Sequence, residues 1–197
     1  MLANLIPVLL PVTGPPRLAW SDSFTGTNGT VIGAPWVQTI AGAYNIQNNR
    51  AENGSGSYAA ITRTAGRGNY TFSWDQDFSS AGATFAQFIF RFTDFNNYCY
   101  FQLNGSDILV LHSVVGGTDN SLFTDSVTRN GSGAGACSGV ITIAGNSISL
   151  TVTGGSQTPG TFGPNTITDN TNGVGFGFGM NTGKAGDWVD NATATPQ

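Results

Sequence analysis

From residue 18 onward, apolar and polar positions alternate in short runs broken by Gly, Asn, Asp and Ser. This is the pattern of strands that bury one face in a sandwich or barrel. Trp20, Asp22 and Phe24 hold alternate positions ahead of a turn-rich stretch, and residues 43–47 and 58–63 read as short strands. Residues 69–75 alternate, with Tyr70, Phe72 and Trp74 on one face. The strongest strand is predicted over 84–93, with Phe88, Phe90 and Phe92 on one side and Gln87, Ile89 and Arg91 on the other. After a turn at 94–97, a second strand sets Cys99, Phe101 and Leu103 against Tyr98, Tyr100 and Gln102. Asn104-Gly105 is a hairpin signal, so 84–115 is expected to be a three-stranded meander. Residues 129–139 read as a flexible loop that includes Cys137. Gly145-Asn146 joins two further strands, 154–172 read as turns, and 174–180 form a late strand. The alternate glycines of that late strand imply close backbone approach, or a flat surface on which an aromatic ring rests.

The first seventeen residues break the pattern. They are apolar, carry no basic residue before Arg17, and are interrupted by Pro7, Pro11, Pro15 and Pro16. Proline fixes φ and removes a donor, so an extended arm is expected rather than a helix. The apolar run is too short and too broken to cross a membrane. An extended arm cannot bury Leu2, Leu5, Ile6, Val8, Leu9, Leu10 and Val12 against itself. Those side chains need a surface, on a neighbouring subunit by preference or on the arm's own domain otherwise. The organisation expected is an arm over 1–17 and one β-domain over 18–197.

Composition narrows the classes. Of 197 residues only 9% are charged, with 7 Lys or Arg against 11 Asp or Glu, a net charge of −4. Glu52 is the sole Glu and Lys184 the sole Lys, which removes the usual vocabulary of solvent-facing helices. Scattered cations in an acidic chain exclude a nucleic-acid interface, which needs clustered Lys and Arg. Cys99, Cys137 and His112 are too few for a zinc centre. The two cysteines are compatible with a disulfide or with two free thiols.

Candidate chemistry is sparse. Glycoside hydrolysis needs two carboxylates flanking one bond. The nearest imitation is Asp75 with Asp77, which reads as a solvated strand face, while Glu52 lies in a turn-rich segment. His112, alone on the polar side of a strand, reads as a surface residue. No enzyme and no cofactor is expected. Tyr98 and Tyr100, beside Gln102 and Arg91, could form an aromatic strip for a glycan or a subunit contact, with Trp74 a further candidate.

About a dozen short strands in a chain of this length fit an all-β, two-sheet antiparallel jelly roll. Residues 22–36 (DSFTGTNGTVIGAPW) resemble the opening of concanavalin A-like (LamG-type) jelly rolls, with D-x-F, a Gly-bearing turn and G-x-x-W. Residues 96–118 resemble the central strands of that group, and 172–194 its closing segment, which pairs with the first strand. The resemblance implies a lectin- or glucanase-like sandwich, a fold also found in bacteriophage virion proteins. Related jelly rolls often hold a structural calcium ion, for which the resemblance implies Asp22, Asp187 and Asp190 as the candidate ligands. Joined to the arm, it leads to an expected role as a virion structural protein, most specifically a phage capsid decoration protein on the particle surface. The partners would then be the major capsid protein or further copies of this chain, with no nucleic acid and no membrane. The alternative is a glycan-binding module or a tail or fibre adhesin that takes a surface polysaccharide.

Overall fold

The computed structural model describes residues 18–38, 44–53, 58–66, 68–77, 85–104, 109–125, 136–154, 160–181 and 188–197. All regular structure in them is β, arranged as two antiparallel sheets face to face. One sheet contains β1 (Trp20–Asp22), β3 (Tyr44–Gln47), β4 (Arg50–Asn53), β6 (Tyr70–Asp77), β11 (Cys137–Ala144), β12 (Ser147–Thr153), β13 (Gly160–Thr166) and β15 (Trp188–Pro196). Its order is β13, β12, β11, β6, β15, β4, β3, with β1 also paired to β15. The other sheet contains β2 (Val37–Gln38), β5 (Ala59–Thr64), β7 (Phe85–Asp94), β8 (Asn97–Asn104), β9 (Leu109–Val115), β10 (Thr118–Thr124) and β14 (Gly175–Asn181). Its order is β10, β9, β8, β7, β14, β5, β2. This is the expected jelly-roll sandwich, and the last strand does pair with the first, Trp20 opposite Ala194.

Aromatic side chains fill the space between the sheets. Trp74 stacks on Phe88 with centroids 4.5 Å apart, and Phe72 meets Phe176 and Phe178 from the opposite sheet. Gly139, directly across from Trp74, has no side chain because a Cβ there would stand 2.3 Å from the indole. The opening motif has a physical basis. Asp22 accepts hydrogen bonds from the Phe24 backbone N–H and the Trp36 indole N–H, each at 2.8 Å, while the Phe24 ring packs on Trp36.

Four expectations need correction. The strand at 84–93 does not keep Phe92 with Phe88 and Phe90, because a β-bulge lies between Phe90 and Asp94 and Arg91 has φ +50°. The extra residue reverses the alternation. Arg91 therefore turns to the end of the sandwich, where its guanidinium donates to the carbonyls of Ile167, Asp169 and Gly145. Glu52 lies in strand β4, since Asn48 and Asn49 at φ 51° and 58° close a tight hairpin with β3. Cys137 opens β11 and is buried; both it and Cys99 are free thiols. The turn-rich 154–172 stretch contains edge strand β13, where Pro164 is tolerated because no neighbour needs its missing N–H.

The meander holds as β7, β8 and β9, and Gly116-Gly117 returns the chain into a fourth strand, β10. The turn after Asn104 and the proposed arm, with Leu2, Leu5, Ile6, Val8, Leu9, Leu10 and Val12, lie outside the described residues.

Candidate functional site

Alternation that sends Phe88, Phe101 and Leu111 into the core sends their neighbours to the outer face of the seven-stranded sheet. The registers align them in rows. Thr62, Gly177, Ile89, Tyr100, His112 and Ser121 form one row across β5, β14, β7, β8, β9 and β10. Ala60, Gly179, Gln87, Gln102 and Val110 form a second, and Tyr98, Val114 and Asp119 a third. Ala60, Ile89, Tyr100 and Val114 are buried here as a hydrophobic cluster separate from the main core, with Tyr58, Phe92 and Tyr98 packed on it. A second apolar cluster on the outside of a sheet is the feature that singles out this face.

Its polar groups are organised around it. Tyr100 and His112 stack with centroids 4.6 Å apart and planes within 6°. The Tyr100 hydroxyl donates to Asp119 Oδ2 at 2.7 Å, and His112 Nδ1–H donates to Asp119 Oδ1 at 3.1 Å. On the other side of the patch, the Tyr58 hydroxyl donates to Gln87 Oε1, and the Gln87 amide donates to Gln102 Oε1 at 3.3 Å. Tyr58 reaches Gln87 by passing over Gly179, where a Cβ would stand 2.7 Å from its hydroxyl oxygen. The late strand's glycines thus let an aromatic ring lie on β14. Burial, reinforced by the neighbouring Tyr98 and Asp119, holds the Tyr58 hydroxyl well above the usual phenol range. The same is true of Tyr100, chiefly through burial and then through its bond to Asp119. Both phenols are therefore neutral donors at physiological pH.

Beside these rows a shallow pocket opens over Gly175, lined by Val37, Thr62, Thr64 and Phe92 among others. Phe92 contacts Phe95 and Tyr98. Val37 and Phe95 are largely exposed, at 59% and 47%.

The structure redistributes the residues singled out from sequence. Tyr98 is half-buried and lies on this face as expected. Tyr100 lies there too but is only 3% exposed, so it braces the patch from beneath instead of presenting an open platform. Trp74 belongs to the core and reaches no outer surface. Arg91 leaves the strip because of the bulge. Tyr58, Gln87, Phe92, His112 and Asp119 join the site without having been assigned to it from sequence. Only the alternation pattern, corrected for the bulge, could have placed Phe92.

The calcium candidates fare differently. Asp22 and Asp190 do come to neighbouring strands, and a polar pocket lies against Ser21, Asp22, Ser23, Asn191 and Thr193. Both Asp22 oxygens accept from N–H donors, with Arg63 a further partner at 3.4 Å. Asp75, directly opposite Asp190, accepts from Ser138 at 2.6 Å and from Asn191 at 2.8 Å. These carboxylates are occupied by donors, and among the described residues no group of three or more His, Cys, Asp or Glu is arranged to hold a metal. Asp187 lies outside the described residues.

No protein-family model matches the chain. No curated protein matches it either. Solved structures do. The carbohydrate-binding module CBM66 from Bacillus subtilis superposes with TM-score 0.62 at 12% identity, over 81% of this chain and 94% of that one. The GH43 protein BlXynB from Bacillus licheniformis gives 0.59 at 14% identity over 91% of this chain, which spans 40% of that protein. Galectin-Ib from Xenopus laevis gives 0.50 at 11%, over 70% of this chain and all of the galectin. At such identities the likeness is one of architecture alone: the chain has a two-sheet jelly-roll sandwich.

Proposed function

We propose that this chain is a non-enzymatic glycan-binding module whose ligand lies on the outer face of the seven-stranded sheet. The observation that carries the reading is the second apolar cluster, Tyr58, Phe92, Tyr98 and Tyr100 over Ile89, set among the amides of Gln87 and Gln102. Sugars present an apolar C–H face and a rim of hydroxyls, so a binding patch pairs aromatic rings with neutral hydrogen-bonding groups. The structural likeness to a carbohydrate-binding module and to galectins supports the same reading. Catalysis plays no part in it. The acid pair Asp75 and Asp77 lies on the outer face of the other sheet, with Asp75 engaged by Ser138 and Asn191.

Affinity electrophoresis through a panel of soluble polysaccharides tests the reading. At least one should retard the wild-type protein, and Tyr98→Ala should weaken that retardation by roughly tenfold, the worth of one aromatic contact. Wild-type mobility unchanged in every gel sinks it.

A second reading, assembly, rests on the leader. In it Leu2, Leu5, Ile6, Val8, Leu9, Leu10 and Val12 dock on a neighbouring subunit, as in a capsid decoration protein on a phage particle. Its support is the Pro-punctuated apolar sequence of residues 1–17. Mass measurement of the full chain and of residues 18–197, alone and mixed with purified particles, tests it. Equal association by both chains, or by neither, removes this reading.

A further inference from the structure

From the charge distribution over this face we infer that the site selects uncharged glycans and rejects those bearing uronate or sulfate groups; the inference rests on the glycan-binding reading above. Asp119 is the source of the selection. Its side chain is 51% exposed, yet its position is fixed, because one oxygen accepts from Tyr100 and the other from His112. A surface carboxylate on a free side chain swings away from an incoming anion, whereas this one is pinned at the rim of the aromatic patch.

No described Lys or Arg lies on the face to compensate this charge, and its one imidazole, His112, is already engaged by Asp119 itself. The rows across it are Thr62, Gly177, Ile89, Tyr100, His112 and Ser121, then Ala60, Gly179, Gln87, Gln102 and Val110, then Tyr98, Val114 and Asp119. Arg63, which borders the pocket over Gly175, is directed elsewhere: its guanidinium lies 4.6 Å from the Trp20 ring and pairs with Asp22 at 3.4 Å. Arg91, which a regular strand would have placed here, is turned to the end of the sandwich by the bulge. The chain as a whole carries −4. Among the described residues, an anionic sugar would thus meet a fixed like charge and no Lys or Arg, while a neutral one meets Tyr98, Phe92 and the amides. Two unit charges a few ångströms apart near a protein surface repel by an amount worth roughly tenfold in affinity.

The full-length chain is run in affinity gels holding mixed-linkage β-glucan, linear galactan, glucomannan or pullulan. Each polymer is used neutral and again after oxidation of its primary hydroxymethyl groups to carboxylates. At low ionic strength the oxidised form of any retarding polymer should bind at least about fivefold more weakly, and the gap should narrow in high salt as screening sets in. In Asp119→Asn the ratio of neutral to oxidised affinity should fall toward one, whatever the absolute affinity. Wild-type protein that binds an oxidised polymer as tightly as its neutral parent overturns the inference and leaves the glycan reading standing. A ratio unchanged in Asp119→Asn overturns Asp119 as the source. Failure to bind any polymer, neutral or oxidised, removes the glycan reading and this inference with it.

Discussion

The rings of Tyr100 and His112 lie parallel, 4.6 Å between centroids, and the carboxylate of Asp119 accepts a hydrogen bond from each. The three side chains come from β8, β9 and β10, so one carboxylate locks the outermost hairpin of the sheet onto the aromatic patch. Tyr100→Phe keeps the stack and removes one bond to a charged acceptor. The variant should lose about 1–2 kcal/mol of stability in urea unfolding and retain its fold. Stability equal to wild type would show that the Asp119 contact contributes nothing to holding β10.

The glycines of β14 make a paired prediction, because their neighbours differ in stiffness. A Cβ at Gly177 would stand 1.9 Å from the Ile61 carbonyl oxygen, which is backbone and cannot move without breaking the β5 pairing. Gly177→Ala should therefore fail to fold, or lose about 3 kcal/mol or more. A Cβ at Gly179 would instead meet the ends of Tyr58 and Gln87, two side chains that can rotate. Gly179→Ala should keep most of its stability while displacing Tyr58 and weakening polysaccharide retention. Thermal melts beside affinity gels separate the two. Equal effects of both substitutions on stability would contradict the distinction.

The same contrast explains what could be read from the chain in advance. The opening motif was legible because Asp22, Phe24 and Trp36 bond and pack to one another within one short stretch. Strands β6 and β14 alternate, and the core side of each is evident from its aromatics, whereas β8 carries aromatics on both faces. The binding face was harder to see for two reasons. One inserted residue at Arg91 reverses the direction of Phe92, and no local signal announces a bulge that depends on pairing with β8. Tyr58 and Gln87 are 29 residues apart in sequence and meet only because β5 and β7 flank the same strand. Trp74 misled in the opposite sense: a large aromatic on an alternating strand looks the same whether its face is covered by a second sheet or left open.

Asp22 is the node of the opening motif. Its carboxylate accepts from the Phe24 N–H and the Trp36 indole, and pairs with an Arg63 guanidinium that also lies over Trp20. Asp22→Ala leaves the indole N–H of a buried Trp36 without its acceptor, a loss of about 2–3 kcal/mol. Asp22→Asn retains one acceptor oxygen and should cost less. The order Ala worse than Asn, measured by chemical denaturation, is the expected result; equal losses would mean that charge on Asp22 matters and its acceptor geometry does not.

Arg91 is buried to 6% exposure and is held by three backbone carbonyls drawn from two separate loops, at 2.8–3.1 Å. Burial lowers its pKa, but a guanidinium stays charged at any physiological pH. The ammonium of Arg91→Lys has no fork to span Ile167, Asp169 and Gly145 together. It should cost about 2–3 kcal/mol and loosen both loops, seen as faster amide exchange at Gly145 and Asp169. Unchanged exchange there would remove Arg91 as the clamp of that end.

Tyr44 offers a substitution expected to help. Its side chain is fully buried, and among the described residues its hydroxyl has no hydrogen-bond partner. Burial and the nearby Tyr58 hold the phenol well above its ordinary pKa, so it stays neutral in the fold, and this proton affects unfolding only above the ordinary phenol pKa of about 10, where stability falls as pH rises. A buried hydroxyl without a partner carries its desolvation cost uncompensated, of about 1–3 kcal/mol. Tyr44→Phe deletes that oxygen and keeps the ring, its place between Ile32 and Gln38, and the backbone bonds Tyr44 makes to both. The variant should melt at the wild-type temperature or higher. A marked loss of stability would mean that the hydroxyl has a partner, a buried water being the simplest one that fits.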